Sequence, residues 1–247
     1  MHRFFVSTDN IKKGGIVITG EDVSHISRVL RLKIGDKIIL CDGQGNDYYV
    51  SIENMDKYAV ITRILEKTDS IGEPNINVIL FQGIPKGAKM DSIIQKCTEI
   101  GVSTIVPVLN ERTVVKLSDE KDERKKVERW QRIAEEAAKQ SGRGIVPKIE
   151  MPKAFEEALT EAIKLDISII PYELEKRNTL KGYLQGKAIK NIGIFIGPEG
   201  GYADFEIKSA LDIGVTPVTL GPRILRTETA GSSVLSCIMY EFDEMKI

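Results

Sequence analysis

A chain of 247 residues with 42% hydrophobic side chains can bury one large core or two modest ones, so two domains are expected. A net charge of -1, with 29% charged residues, excludes a global pull toward nucleic acid, and any such grip must come from local patches. The three cysteines, Cys41, Cys97 and Cys237, lie far apart without a C-x-x-C pair, which argues against a disulfide framework or a zinc site and for a reducing, cytoplasmic setting.

The opening "MHRFFVSTDN" has no apolar h-region, and no uncharged apolar run approaches the roughly 18 residues of a membrane span, so neither a signal peptide nor a membrane helix is expected. Up to about residue 70 the chain carries short β-type runs: "FFVS", "GIVITG", "DKIILCD" and "DYYVSIENMDKYAVITRILE". Residues 42–46, "DGQGN", are a hairpin tip between two of them, and so many strands in so short a stretch predict a small β-barrel. Only "SHISRVLRL" has helical spacing there, and it concentrates His25, Arg28, Arg31 and Lys33. The stretch 66–75, "EKTDSIGEPN", lacks apolar periodicity and contains Gly72 and Pro74, which marks it as a linker.

Beyond it the pattern alternates strand with helix. "INVILFQG", "STIVPVL", "DISIIPY", "NIGIFIG" and "TPVTLG" are short apolar runs, as expected of parallel strands covered on both faces. The clearest helix spans about 119–140, with Val127, Trp130, Ala134, Ala137 and Ala138 on one stripe and Arg132, Glu136 and Gln140 opposite. The expected organisation is thus residues 1–70 as a β module and 75–247 as an α/β domain with a mostly parallel sheet.

Ligands of such sheets collect at the loops leaving the carboxyl ends of strands. "FIGPEGGY" offers Gly197, Gly200 and Gly201, which let a backbone approach a ligand, before a helix that Asp204 would cap with Glu206 in its first turn. "GPRILRTETAG", residues 221–231, sets Arg223, Arg226 and Glu228 beside two threonines before an apolar helix. A capping role for Thr227 or Thr229 explains one threonine and leaves Arg226 and Glu228 without a structural task, which favours a site. Pro171 and Tyr172, in a third loop, offer an apolar wall or ordinary core packing. Basic and polar residues recur at other element ends, namely Lys86, Lys89, Lys96, Asn110, Arg112 and Arg143, and together they suit several phosphates. With only His2 and His25 in the chain, no metal site is expected. G-x-G-x-x-G, the P-loop pattern and a G-x-S-x-G elbow are all missing, which counts against a nucleotide-dependent oxidoreductase, a nucleoside triphosphatase and a serine hydrolase.

These segments resemble a known family. "IGPEGG" followed by "LGPRILRTETA", with "KGAKMDSIIQKCTEIGV", "NERTVV" and "EEAAKQSGRGIVP" upstream and "HRFFV" at the start, is similar over nearly the whole chain to the RsmE family of 16S rRNA methyltransferases in the SPOUT superfamily. The resemblance implies a PUA-like RNA-binding β-barrel followed by a SPOUT-type parallel sheet with a C-terminal trefoil knot. It further implies S-adenosylmethionine as methyl donor, a homodimer, and methylation of uridine N3 in the small ribosomal subunit. Carried onto this chain, the cofactor pocket comprises Pro171, Tyr172, Gly197, Pro198, Glu199, Gly200, Leu220, Gly221, Ile224, Leu225, Arg226, Thr227 and Ala230, held largely through peptide atoms. Arg226 faces the substrate, and the general base is Glu199, Glu228 or Glu136. The alternatives are another SPOUT RNA methyltransferase acting on a ribose 2′-OH or a different base, and a ribosome assembly factor that keeps the fold without the chemistry.

Overall fold

The structure is a computed structural model and describes residues 1–115 and 119–246. The chain forms two compact units, Met1–Glu73 with Ala138–Val146, and Pro74–Ala137 with the chain from Pro147 on.

The first unit holds β1 (Arg3–Phe5), β2 (Ile11–Lys12), β3 (Gly15–Thr19), α1 (Glu21–Ser24) running into a π-turn over His25–Val29, β4 (Lys37–Cys41), β5 (Asn46–Met55) and β6 (Ala59–Asp69). The strands form one six-stranded sheet in the order β1-β4-β5-β6-β3-β2. Register shifts between Tyr49 and Val50 and between Ile52 and Asn54 bend the long β5–β6 ribbon, and bulges of this kind help curl a sheet. Its concave side encloses Phe4, Ile16, Ile18, Ile26, Ile38, Leu40, Val50 and Val60. The hairpin tip forms as its residues dictate, with Asp42 Oδ1 accepting from the N–H groups of Gln44 and Asn46. The expected linker at 66–75 is ordered in its first part. Glu66–Asp69 complete β6 and pair with Asn46–Tyr49, where the strand continues through polar residues because one face looks to solvent.

A buried polar network joins 138–146 to this unit. Arg3 Nη2 lies 2.5 Å from Asp47 Oδ2, while Arg3 Nη1 donates to the carbonyl of Arg143. Glu73 accepts from Arg143 Nη2 at 2.7 Å and from the N–H groups of Gly144 and Ile145.

The second unit contains β7 (Asn77–Gly83), α2 (Lys89–Ile100), β8 (Thr104–Leu109), α3 (Glu120–Ser141, whose last residues belong to the first unit), β9 (Lys148–Ile149), β10 (Lys153–Ala154), α4 (Phe155–Ala162), β11 (Ile167–Pro171), α5 (Leu180–Leu184), β12 (Asn191–Ile196), α6 (Asp204–Asp212), β13 (Thr216–Val218) and α7 (Thr227–Glu241). All pairings are parallel in the order β10-β8-β7-β12-β11-β13, with β9 beside β8. Alternate residues of β7 serve opposite faces, which is why its sequence reads as one apolar run. Phe81 stacks on Phe195 at 4.4 Å within the cluster closed by α4 and α6. Leu80 and Gln82 approach Gly231 of α7, which also packs against α2. Trp130, Ala134, Ala137 and Ala138 are buried on one stripe of α3 as expected. Cys41 and Cys97 are buried, and burial pushes both thiols up to about 12, so they are chemically quiet.

Candidate active site

Because every strand of the second sheet runs the same way, the loops at their carboxyl ends share one edge. Thr227 fastens three of these segments. Its buried hydroxyl accepts from Gln82 Nε2, at the end of β7, at 3.0 Å and donates to the carbonyl of Gly197, just past β12, at 2.7 Å. Gln82 Nε2 also donates to the carbonyl of Gly83. The capping role open to Thr227 or Thr229 is therefore corrected: Arg226 is the N-cap of α7 by its extended backbone, without a side-chain bond, and the Thr227 hydroxyl turns back across the strand ends.

Glu206 clasps two further loops. Almost fully buried, it accepts from Asn110 Nδ2 and the N–H of Glu111 through Oε1, both at 3.1 Å, and from the N–H of Ala203 through Oε2 at 2.8 Å. Ala203, not Asp204, is the N-cap of α6, and Glu206 performs the reciprocal half of a capping box from the third helical position. Arg112 Nη1 adds a bond to the carbonyl of Gly200 at 2.9 Å. Gly197 is tightly enclosed, since a Cβ there would stand 3.1 Å from the Tyr202 ring and 3.3 Å from Gly201 Cα and its neighbours would have to give by a few tenths of an ångström. Burial, aided by the nearby Glu206, pushes the Tyr202 hydroxyl well above its ordinary value.

The third strand end carries the 219–226 loop. Tyr172 N–H bonds to the carbonyl of Val218 at 3.0 Å, and half-buried Tyr172 packs on the core beside half-buried Pro171. Burial raises the Tyr172 phenol, with Glu173 and Asp204 adding to the effect. Gly221 takes a left-handed φ of +97°, and Pro222, Arg223 and Ile224 stand exposed beyond it, Ile224 at 88%. Ala230, expected to offer a peptide atom to a cofactor, donates its N–H to the carbonyl of Arg226 in the first turn of α7 and buries its methyl group.

Charged groups meet over these loops. Glu199 Oε1 accepts from Lys89 Nζ at 2.8 Å and from the N–H of Lys86 at 3.1 Å, and Oε2 lies 3.3 Å from the same N–H. Burial pushes the Glu199 carboxyl upward, but the bonds from Lys89 and from peptide N–H groups outweigh it and hold the group below its ordinary value. Lys89 Nζ is also 3.9 Å from Glu228 Oε2, and Arg226 Nη1 is 3.9 Å from Glu228 Oε1. Arg226 is 83% exposed at its side chain, open to an incoming molecule. Glu136 lies on the exposed face of α3.

Of the residues expected to meet RNA, His25, Arg28, Arg31, Lys33, Lys86, Lys96 and Arg112 are exposed, and Lys89 is half-buried in the charged cluster. Asn110 and Arg143 are corrections. Both are buried, one spent on Glu206 and the other on Glu73, because each satisfies a carboxylate that would otherwise be an uncompensated charge. Gln82 escaped the sequence reading, and Glu206 was read there only as a first-turn helix residue. Gln82 was detectable as a polar side chain that, with Asn77, interrupts an apolar strand run, and the clasp of Glu206 by its spacing from a helix start. Among the described residues no group of three or more His, Cys, Asp or Glu side chains is placed to hold a metal ion, and no helix is long and apolar enough to cross a membrane.

A parallel sheet with its polar cluster at the carboxyl edge, preceded in the chain by a curled β unit, is the architecture of an RNA methyltransferase: the family model described as an RNA methyltransferase domain matches residues 72–239, and that described as an RNA methyltransferase PUA domain matches residues 18–65. Within that class the chain is 36% identical over 234 residues to ribosomal RNA small subunit methyltransferase E of Bacillus subtilis, covering 93% of this chain and 91% of the relative. It is 35% identical to the protein of that name in Mesomycoplasma hyopneumoniae, covering 96% of this chain and 99% of the relative. A crystal structure of the Neisseria gonorrhoeae protein of that name, bound to S-adenosyl methionine, superposes with a TM-score of 0.87 at 31% identity over 97% of both chains. The chain belongs to the ribosomal RNA small subunit methyltransferase E family.

Proposed function

We propose that this protein transfers a methyl group from S-adenosylmethionine to N3 of one uridine in the 16S rRNA of the small ribosomal subunit. The observation that carries the reading is the cluster of Lys89, Glu199, Glu228 and Arg226 at the carboxyl edge of a parallel sheet, in a chain of this family.

The residues present suit the donor. Side-chain-free backbone at Gly197 and the exposed, glycine-opened turn at 220–224 leave peptide groups accessible, and Pro171, Tyr172, Leu220, Ile224 and Leu225 add apolar surface beside them. When bound, S-adenosylmethionine supplies an electrophilic sulfonium methyl whose in-line displacement depends on positioning more than on acid catalysis. The chain's own task is to orient uracil N3 and remove its proton. Uracil N3 normally faces a pairing partner, so the base must be drawn out of pairing or stacking, and the exposure of the Arg226 guanidinium supports assigning it to receive the base. Negative charge developing on the uracil oxygens is then stabilised by Arg226.

The reading extends to a trefoil knot over β12 to α7, supported by the return of α7 onto α2 and β7 after β13 has joined the far side of β11. It includes a PUA-like barrel whose exposed His25, Arg28, Arg31 and Lys33 contact phosphates, a homodimer, and a cytoplasmic location. The test is mass mapping of nucleosides in small-subunit rRNA from cells lacking the gene, with purified protein and S-adenosylmethionine added back. Loss and restoration of one 3-methyluridine is expected, and an unchanged profile would replace this reading with that of a ribosome assembly factor.

A further inference from the structure

We infer that Glu228 takes the N3 proton of the target uracil, that Lys89 is the cation flanking it, and that Glu199 is the positioning residue that holds Lys89. The inference deepens the proposed function and rests on it.

The three candidate carboxylates differ in what they have left to give. Glu199 has both oxygens engaged, by Lys89 Nζ and the N–H of Lys86, and is held below the ordinary carboxyl value, which makes it a poor proton acceptor. Glu136 stands on the exposed face of α3. Glu228 differs from both. Its Oε2 is buried yet accepts no hydrogen bond among the described residues, because Lys89 Nζ at 3.9 Å lies beyond hydrogen-bond reach. An ionised carboxyl has about four acceptor sites, so Glu228 keeps capacity that Glu199 has spent. Its side chain is 22% exposed although Oε2 itself is buried. The charged groups around it are Lys89 of α2, Glu199 of the loop after β12, and Arg226 ahead of its own helix.

The step balances. The N3–H bond breaks and its proton goes to the Glu228 carboxylate, while a bond forms from N3 to the methyl carbon and the carbon–sulfur electron pair leaves with sulfur. One sulfonium cation and one carboxylate anion disappear together, and charge passing through the uracil oxygens lies between Lys89 and Arg226. Glu228 then releases its proton to water.

The test compares native protein with E228Q, E228D and E199Q in single-turnover methylation of small-subunit rRNA from about pH 6 to pH 9. S-adenosylmethionine affinity is read by calorimetry and folding by thermal unfolding. E228Q is expected to slow at neutral pH by about 10²-fold or more, with affinity within about threefold and a residual rate that climbs with pH as hydroxide replaces the lost base. E228D should recover part of the rate, and E199Q should lose less than E228Q. A folded E228Q within about threefold of native, a pH-independent residual rate, or a rate loss matched by lost cofactor affinity overturns the assignment. An E228Q that no longer folds, with E228D equally affected, puts the carboxyl in the framework and overturns it too. Absence of 3-methyluridine with native protein overturns the functional reading instead.

Discussion

Replacing Thr227 by valine keeps shape and volume and removes only a hydroxyl, which makes it a clean probe of how the strand-end loops are held. That hydroxyl accepts from Gln82 Nε2 at 3.0 Å and donates to the Gly197 carbonyl at 2.7 Å, in a site where Gln82 is fully buried. Two hydrogen bonds contribute about 1 kcal/mol each, and the one stranded Gln82 N–H, on a nitrogen that keeps its bond to the Gly83 carbonyl, adds a desolvation cost of about 1 kcal/mol, for a total of about 3 kcal/mol. For a folding unit of this size the unfolding temperature should fall by about 6 to 12 °C, measured by calorimetry and by urea unfolding. S-adenosylmethionine binding should weaken as well, because the Gly197 carbonyl is no longer fixed. T227S keeps the hydroxyl and loses one methyl group, so it should cost only about 1 kcal/mol. A T227V variant within about 1 kcal/mol of native stability would refute the argument, showing that water or a relaxed loop replaces both bonds.

Glu206→Ala removes the acceptor of three N–H groups at a buried site, and a loss of about 3 to 5 kcal/mol is expected in denaturant unfolding. Arg226→Ala should leave stability within about 0.5 kcal/mol, since the side chain is 83% exposed, yet slow turnover about 10²-fold with cofactor affinity largely kept; near-native turnover would eliminate its role toward substrate. Glu199 has a lowered folded-state pKa, so its stabilising contribution is present above its ordinary value of 4.5 and disappears as the pH falls through the lower folded value. The stability gap between native protein and E199Q, followed by urea unfolding, should therefore narrow on acidification, and a gap that widens would contradict the sign.

The elements with strong periodicity were legible in the sequence. The five apolar runs of the second unit became β7, β8, β11, β12 and β13, and α3 buried the stripe headed by Trp130. The two-residue strands β9 and β10 were not legible, because so short a segment has no period and is fixed only by its neighbour β8. The site was readable as to which loops, and less so as to which atoms. A threonine before an apolar helix reads as a cap, and only the fold reveals that Thr227 is turned toward a glutamine 145 positions away in sequence. Asn110 and Arg143 failed as surface residues for a related reason: their partners Glu206 and Glu73 are distant in sequence, and local pattern does not show a buried pair.

The polar network around Arg143 has a consequence for how the protein is made. A protein emerging from the ribosome folds its N-terminal part first when that part is complete. Here residues 1–73 are not complete: Arg3 lacks the carbonyl of Arg143, and Glu73 lacks a guanidinium and two peptide N–H groups, until 138–146 have been synthesised. The first unit must wait for nearly twice its own length of chain. A fragment cut at the apparent boundary near residue 73 would keep the Arg3–Asp47 pair but leave Glu73 without its guanidinium and peptide donors, so the β unit is best excised with its nine-residue insert restored by a short tether.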